Sequence, residues 1–224
     1  MFFKKKILVI IIFLLYQTSS SSKSTSFNNL DSKNLSKYFS GIVAFENKNV
    51  SKALSFFNSS KILVNEHNPF LERYVFSLVL ENKISKAINL IQQNEGKANS
   101  NFFDAHLLLI IKSLKINDFN QAYFHLSKAL NSAKKDKFDQ AILETLEQYI
   151  FVFEEKKILN NNKKFGKLSL ISETFQRCYL GDENVDSYFS KLINDNDGDY
   201  TRYIYFYLSY LIENNRLKDA KNIT

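Results

Sequence analysis

The sequence predicts an all-α protein built from antiparallel helical hairpins, and three observations carry that prediction. The first is punctuation: 224 residues contain only five Gly and one Pro, too few for the turns of a β-sandwich or barrel. The second is apolar content. Hydrophobic residues make up 45% of the chain and aromatic residues 15%, enough to bury a sizeable core and to argue against disorder over most of its length. The third is a recurring cadence of apolar helix, short polar turn, lone apolar residue, then Ala.

The N-terminus reads as an address. Lys4, Lys5 and Lys6 precede an apolar run over 7–16, and Gln17-Thr18 with four serines follow. A basic start, a short apolar stretch and small residues at the exit form the pattern of a secretory signal peptide over 1–22. Ten helical residues rise about 15 Å, roughly half the hydrocarbon thickness, which disfavours a full span. Two readings stand: a peptide removed on export, and a short anchor retained in the membrane, since no Ala marks the cleavage site. Lipid modification is excluded, because no Cys follows the apolar run. Residues 23–33, rich in Ser and Asn, read as a flexible lead-in, and 34–224 as the helical repeat domain.

The formal charge is +7, and without the three N-terminal lysines it is about +4. That small basic excess gives a nucleic-acid partner little support. A single cysteine, Cys178, excludes an intramolecular disulfide and a cysteine zinc site.

Three segments align at a period near 34 residues. Each helix ends at a polar turn of two or three residues, followed by the lone apolar residues Val50, Ile84 and Phe119. Ala53, Ala87 and Ala122 come three positions later, spaced by 34 and 35 residues. Two helices that cross closely leave room for a methyl and little more, so the spacing places Ala at each crossing. The cadence returns at the C-terminus, with Tyr203 to Ile212, a turn, Leu217 and Ala220, 98 residues after Ala122. Between them the units degenerate: a helix from Phe138 to Lys157, a break from Ile158 to Lys167, and a hairpin from Phe175 to Ile193 with Val185 in the Ala role.

These residues resemble the tetratricopeptide repeat family, whose units are 34 residues long. Gly41, Ala53 and Phe57 match its small and aromatic positions in the first unit; Ala87 and Ile91, then Ala122, Leu126 and Ala129, match in part. The consensus Trp is absent, and Val75 and Ile110 replace the small residue of helix A. The resemblance covers 34–133 well and 199–224 in part, and Asn68-Pro69 at the first junction also looks like exported alphaproteobacterial members. It implies a right-handed solenoid of about five to six units. With only four residues after Ala220, the last unit is expected to be cut short, leaving its edge open to another chain.

The family's concave face is lined by helix A. Its register maps here onto Tyr38, Ile42 and Phe45, then Glu72, Phe76 and Val79, then Leu107, Ile111 and Leu114. The Lys, Asn and Arg clamp by which some members hold a peptide carboxylate is lacking. An apolar groove suits an amphipathic helix or an extended apolar segment, and the same stripe also suits packing within the chain.

No catalytic, cofactor or metal site is predicted. His67, His106 and His125 are the only histidines; the last two share a hairpin but have no third ligand in a recognisable motif. The run 195–199 looks like a calcium loop, yet the EF-hand register would put Ile193 and Ile204 at its first and last ligand positions. Cys178 reads as a small core residue, and the five glycines are isolated, so no phosphate loop forms. Lysines 134, 135, 137, 156, 157, 163, 164 and 167, interleaved with acids, read as a solvated face. The function expected is a non-catalytic protein-binding scaffold of the cell envelope. The alternatives are a membrane-anchored assembly factor and, remotely, an enzyme with an unrecognised site.

Overall fold

The computed structural model describes residues 31–134, 136–159, 165–194 and 202–223. Among them all regular structure is helical: α1 (Ser32–Glu46), α2 (Val50–Ser59), α3 (Asn68–Leu80), α4 (Ile84–Gln93), α5 (Phe103–Lys115), α6 (Phe119–Ser132), α7 (Lys137–Glu155), α8 (Lys167–Leu180), α9 (Val185–Ile193), α10 (Arg202–Glu213) and α11 (Leu217–Lys221). Short 3₁₀ turns, Lys61–Val64 and Ala98–Ser100, lie in the two links between the first three hairpins. Helix packing follows chain order: each contact-rich pair is adjacent in sequence or one helix removed.

Four hairpins share one turn. Lys48, Asn82, Asn117 and Asn215 each take a left-handed backbone, with φ of 60°, 57°, 56° and 60°. The N–H of each donates to the carbonyl three residues back, and the next N–H to the carbonyl five back. In the first hairpin these bonds run from Lys48 to Phe45 and from Asn49 to Ala44, both at 2.9 Å. In the last they run from Asn215 to Ile212 at 3.0 Å and from Arg216 to Leu211 at 2.8 Å. This Schellman arrangement satisfies carbonyls that a helix end leaves unpaired. The following residue then starts the second helix, and the side chains of Asn49 and Asp118 cap it by accepting from the backbone N–H of Lys52 and Gln121.

The crossings follow the sequence. Ala53, Ala87, Ala122 and Ala129 are fully buried, and Ala220 nearly so. In each of the four hairpins the Ala lies five residues beyond the left-handed one. Phe57, Ile91 and Leu126, one turn further along, are buried as well. Gly41 lies directly beneath the Phe57 ring. The lone apolar residues behave less uniformly: Val50 and Phe119 are half-buried, while Ile84 and Leu217 are exposed. The turns are therefore closed by backbone hydrogen bonds more than by an apolar plug.

One expectation needs correction in the middle of the chain. Helix α8 begins at Lys167, well before Phe175. The single helix expected over 138–157 is α7, 19 residues long and standing between α6 and α8. It stops where Lys156 turns left-handed and donates its N–H to Val152 O at 3.0 Å. The predicted hairpin beyond it is α8–α9, with Val185 and Phe189 buried. Its turn is longer, although Gly181 and Asp182 form the same pair of backbone bonds.

The core lies in three clusters along the chain. Tyr38, Phe57, Phe70, Tyr74 and Ile91 anchor the first; Ile110, Leu126, Leu143 and Ile150 the second; Val185, Phe189, Tyr207 and Leu211 the third.

Candidate functional site

Packing of α3 beside α1 leaves a recess of about 330 Å³ lined by Phe45, Pro69, Glu72, Arg73 and Phe76. Pro69 lies in the first turn of α3, where a missing N–H costs nothing, and the helix then carries Glu72, Arg73 and Phe76 along one edge. The walls are the Phe45 and Phe76 rings; Glu72 and Arg73 supply one charge of each sign. Arg73 lies 4.0 Å from Glu46 Oε1, a largely solvated pair that contributes little stability.

Of the nine groove residues read from the sequence, this recess gathers Phe45, Glu72 and Phe76. Tyr38 is only 2% exposed and faces inward, its ring 5.4 Å from Phe70 and 6.0 Å from Phe57. Ile42 and Val79 are half-buried against the first cluster, and Leu107 and Leu114 against the second. Ile111 stands exposed on α5, outside the recess. Sequence reasoning missed Pro69 and Arg73 as lining residues; their place one turn around Glu72 and Phe76 was the available signal.

A second cavity, of about 350 Å³, lies between the end of α4 and the α5–α6 hairpin, where Ile91, Leu109, Phe124, Asn101, His106 and Lys128 contribute to its wall. His106 and His125 stack with ring centroids 5.7 Å apart, and both are buried. His106 Nε2 lies 2.9 Å from Asn101 Oδ1. That oxygen only accepts, so Nε2 carries the proton and Nδ1 the lone pair. Burial, with smaller contributions from His125 and Lys128, lowers the His106 pKa to about 4, and burial lowers that of His125. The pair is neutral at physiological pH.

The remaining candidates fall apart as sites. His67 packs its ring edge-on to Tyr38 at 5.0 Å, far from a metal role. Among the described residues no group of three or more His, Cys, Asp or Glu could hold a metal ion. Cys178 is half-buried against the third cluster, and burial pushes its thiol pKa up, away from nucleophilic reactivity. The run 195–199 lies outside the described residues, as do lysines 135, 163 and 164 and the N-terminal segment. Lys134, Lys137, Lys156 and Lys157 are exposed; Lys156 sits over the Tyr179 ring at 4.8 Å. No described helix is long and apolar enough to cross a membrane.

One polar network ties the last three helices together. Arg216 donates to Asp219 Oδ2 at 2.7 Å and bridges to Asp186 Oδ2 at 2.8 Å, and the Tyr207 hydroxyl donates to Asp186 Oδ1 at 3.0 Å. Burial and the Asp186 carboxylate push the Tyr207 pKa up to about 12. The network ties α9, α10 and α11 together.

Compared with models of protein families, with curated proteins and with solved structures, the chain finds no match in any of the three.

Proposed function

We propose that this chain is an exported, non-catalytic protein-interaction scaffold. On this reading its hairpins continue as a right-handed, tetratricopeptide-like solenoid that holds an apolar segment of a partner protein in the α1–α3 recess. The observation that carries it is that recess itself: two aromatic walls at the register of the family's concave face, with Glu72 and Arg73 between them. An amphipathic helix or extended strand placing one apolar side chain between Phe45 and Phe76, with polar neighbours to meet the two charges, has the matching chemistry. The repeated turn and the buried Ala at fixed spacing support the repeat reading. The basic-apolar-serine sequence of 1–22 supports export to the periplasm or envelope.

A photo-crosslinking amino acid placed at Phe76 in the full chain tests the binding face in the cell envelope. A crosslink to a distinct protein that is lost with Glu72→Arg supports it. Crosslinks confined to this chain, or unaffected by Glu72→Arg, count against it. Sequencing the N-terminus of the mature protein tests export with cleavage: a start near Ser20 to Lys23 supports it, and an intact start supports the anchored alternative.

A further inference from the structure

A recess of about 310 Å³ lies between the second helices of the first two hairpins and shares no residue with the Phe45–Phe76 recess. One wall belongs to α4. Its buried side carries Ala87 and Ile91, and another side carries Lys86, Asn89 and Gln93, spaced by three and four residues so that they share a face. Lys83, at the turn that starts α4, extends that wall. Asn58 of α2 and Lys61, which opens the following 3₁₀ turn, form the opposite wall. Tyr74 of α3, only 3% exposed, lines the recess between them.

The walls are basic and rich in donors. Three lysines converge there from two hairpins, and among the described residues no acid lines the recess. Lys83 has one distant partner, Glu81 Oε2 at 3.5 Å. Lys61 sits over the Tyr74 ring, 6.0 Å from its centroid. Neither Lys61 nor Lys86 forms an ion pair among the described residues. The Tyr74 hydroxyl donates to Asn58 Oδ1. Burial raises the Tyr74 pKa, so the hydroxyl keeps that proton. With its oxygen engaged, Asn58 has its amide nitrogen and two N–H groups left for a ligand.

We infer that this recess binds a small phosphate-bearing polyanion, whose oxygens accept from Lys61, Lys86 and the Asn58 amide. Two ammonium groups on opposite walls with a third beside them call for a ligand of two or more negative charges. A single carboxylate would leave most of that charge unmatched. Lysine serves phosphate as a point charge and needs no forked geometry. The Tyr74 bond holds Asn58 in its donor orientation before the ligand arrives, which lowers the cost of binding.

The test titrates pyrophosphate into the full chain by calorimetry, with the helicity of each variant checked by circular dichroism. At about 50 mM salt the wild type is expected to bind one equivalent with Kd below about 1 mM, and more weakly as added salt screens the lysines. Lys61→Gln and Lys86→Gln should each weaken binding about fivefold. Asn58→Asp keeps an acceptor for Tyr74 and replaces the donors with a carboxylate, so it should weaken binding by about tenfold or more. A Lys52→Gln/Lys115→Gln control loses the same net charge outside the recess and should bind as the wild type does. A wild type that does not bind would overturn the inference. So would Asn58→Asp binding unchanged, or a control weakened as much as Lys61→Gln/Lys86→Gln. A lipid headgroup offers the same phosphate chemistry, and competition separates the two sources. Phosphatidylcholine vesicles carrying phosphatidic acid that weaken pyrophosphate binding, where plain phosphatidylcholine vesicles do not, assign the site to a headgroup. Equal affinity in both assigns it to a soluble phosphate.

Discussion

At the Gly41–Phe57 contact two side chains compete for one space. A Cβ added to Gly41 would fall 2.7 Å from Phe57 Cε1, well inside contact distance. The equivalent pairs are Val75 with Ile91 and Ile110 with Leu126, all buried, so the helix-A residue grows as its helix-B counterpart loses its ring. Gly41→Ala is therefore expected to destabilise the protein by about 1–3 kcal/mol through overpacking. The roughly 1 kcal/mol that Ala gains over Gly inside a helix offsets part of that cost, leaving a net loss of up to about 2 kcal/mol. Gly41→Val combined with Phe57→Ile, the pairing of the second hairpin, should recover most of the loss, and a double-mutant cycle by urea denaturation measures it; simple additivity would refute the shared space. The stacked histidines give a second residue-scale prediction. Their folded pKa values lie below the ordinary 6.5, so protonation favours the unfolded chain. Their neutral form is accommodated above about pH 6.5, and stability falls as pH drops from there toward about 4. The His106 contribution is on the order of 2 kcal/mol. Urea midpoints compared between wild type and His106→Leu at pH 7.5 and pH 4.5 isolate it, because the carboxylates titrate in both. Equal losses in the two proteins would show that the pair is not responsible.

At the scale of elements, the shared turn makes its own prediction. Lys48 adopts the left-handed backbone with a Cβ, which costs about 1 kcal/mol relative to Gly, whereas Asn at the other three turns tolerates that region better. Lys48→Gly should stabilise the protein by about 0.5–1 kcal/mol, read from the thermal or urea midpoint, and Asn117→Gly by less. A larger gain at Asn117 than at Lys48 would contradict this ordering. The Ala crossings were legible in the sequence because a methyl recurring at fixed spacing between apolar helices marks a close helix contact. The left-handed turns were half-legible, as polar triplets with Asn at three of the four centres. Helix α8 was not, because its most deeply buried positions are polar: Ser172, Thr174 and Gln176 are nearly inaccessible and bonded, while the apolar Leu168 is exposed and Leu170 and Ile171 are half-buried. The Asp186–Arg216 bridge was hidden for another reason, since it joins residues 30 apart and neither belongs to a motif. Tyr38 was assigned to the groove because α1 is apolar on several sides, and periodicity alone does not say which side the next hairpin covers.

Across the whole molecule, the three core clusters lie in chain order, and the joint between the second and third is narrow and partly polar, with one ring contact, Phe153 of α7 to Tyr179 of α8 at 4.7 Å. Gln176 Nε2 donates to Ser172 Oγ at 2.8 Å within α8 and to Gln148 Oε1 of α7 at 3.2 Å. Apolar burial couples neighbouring helices broadly, whereas one amide bond and one ring contact couple only the residues they join, so this joint transmits stability weakly. Helix contacts restricted to near neighbours in sequence favour the same outcome, because little long-range packing forces the two ends to unfold together. Leu211→Ala removes a fully buried side chain from the third cluster and should cost about 2–5 kcal/mol locally. Amide exchange followed by mass spectrometry should then show faster exchange throughout α9, α10 and α11. Protection of the buried amides in α1 to α4 should remain that of the wild type. Gln176→Leu is the complementary change: filling the joint with an apolar side chain of similar size should raise the coupling, so that Leu211→Ala made in that background also loosens α7. If Leu211→Ala alone accelerates exchange in α2 and α4 as much as in α10, the chain unfolds as one cooperative unit and the polar joint does not divide it.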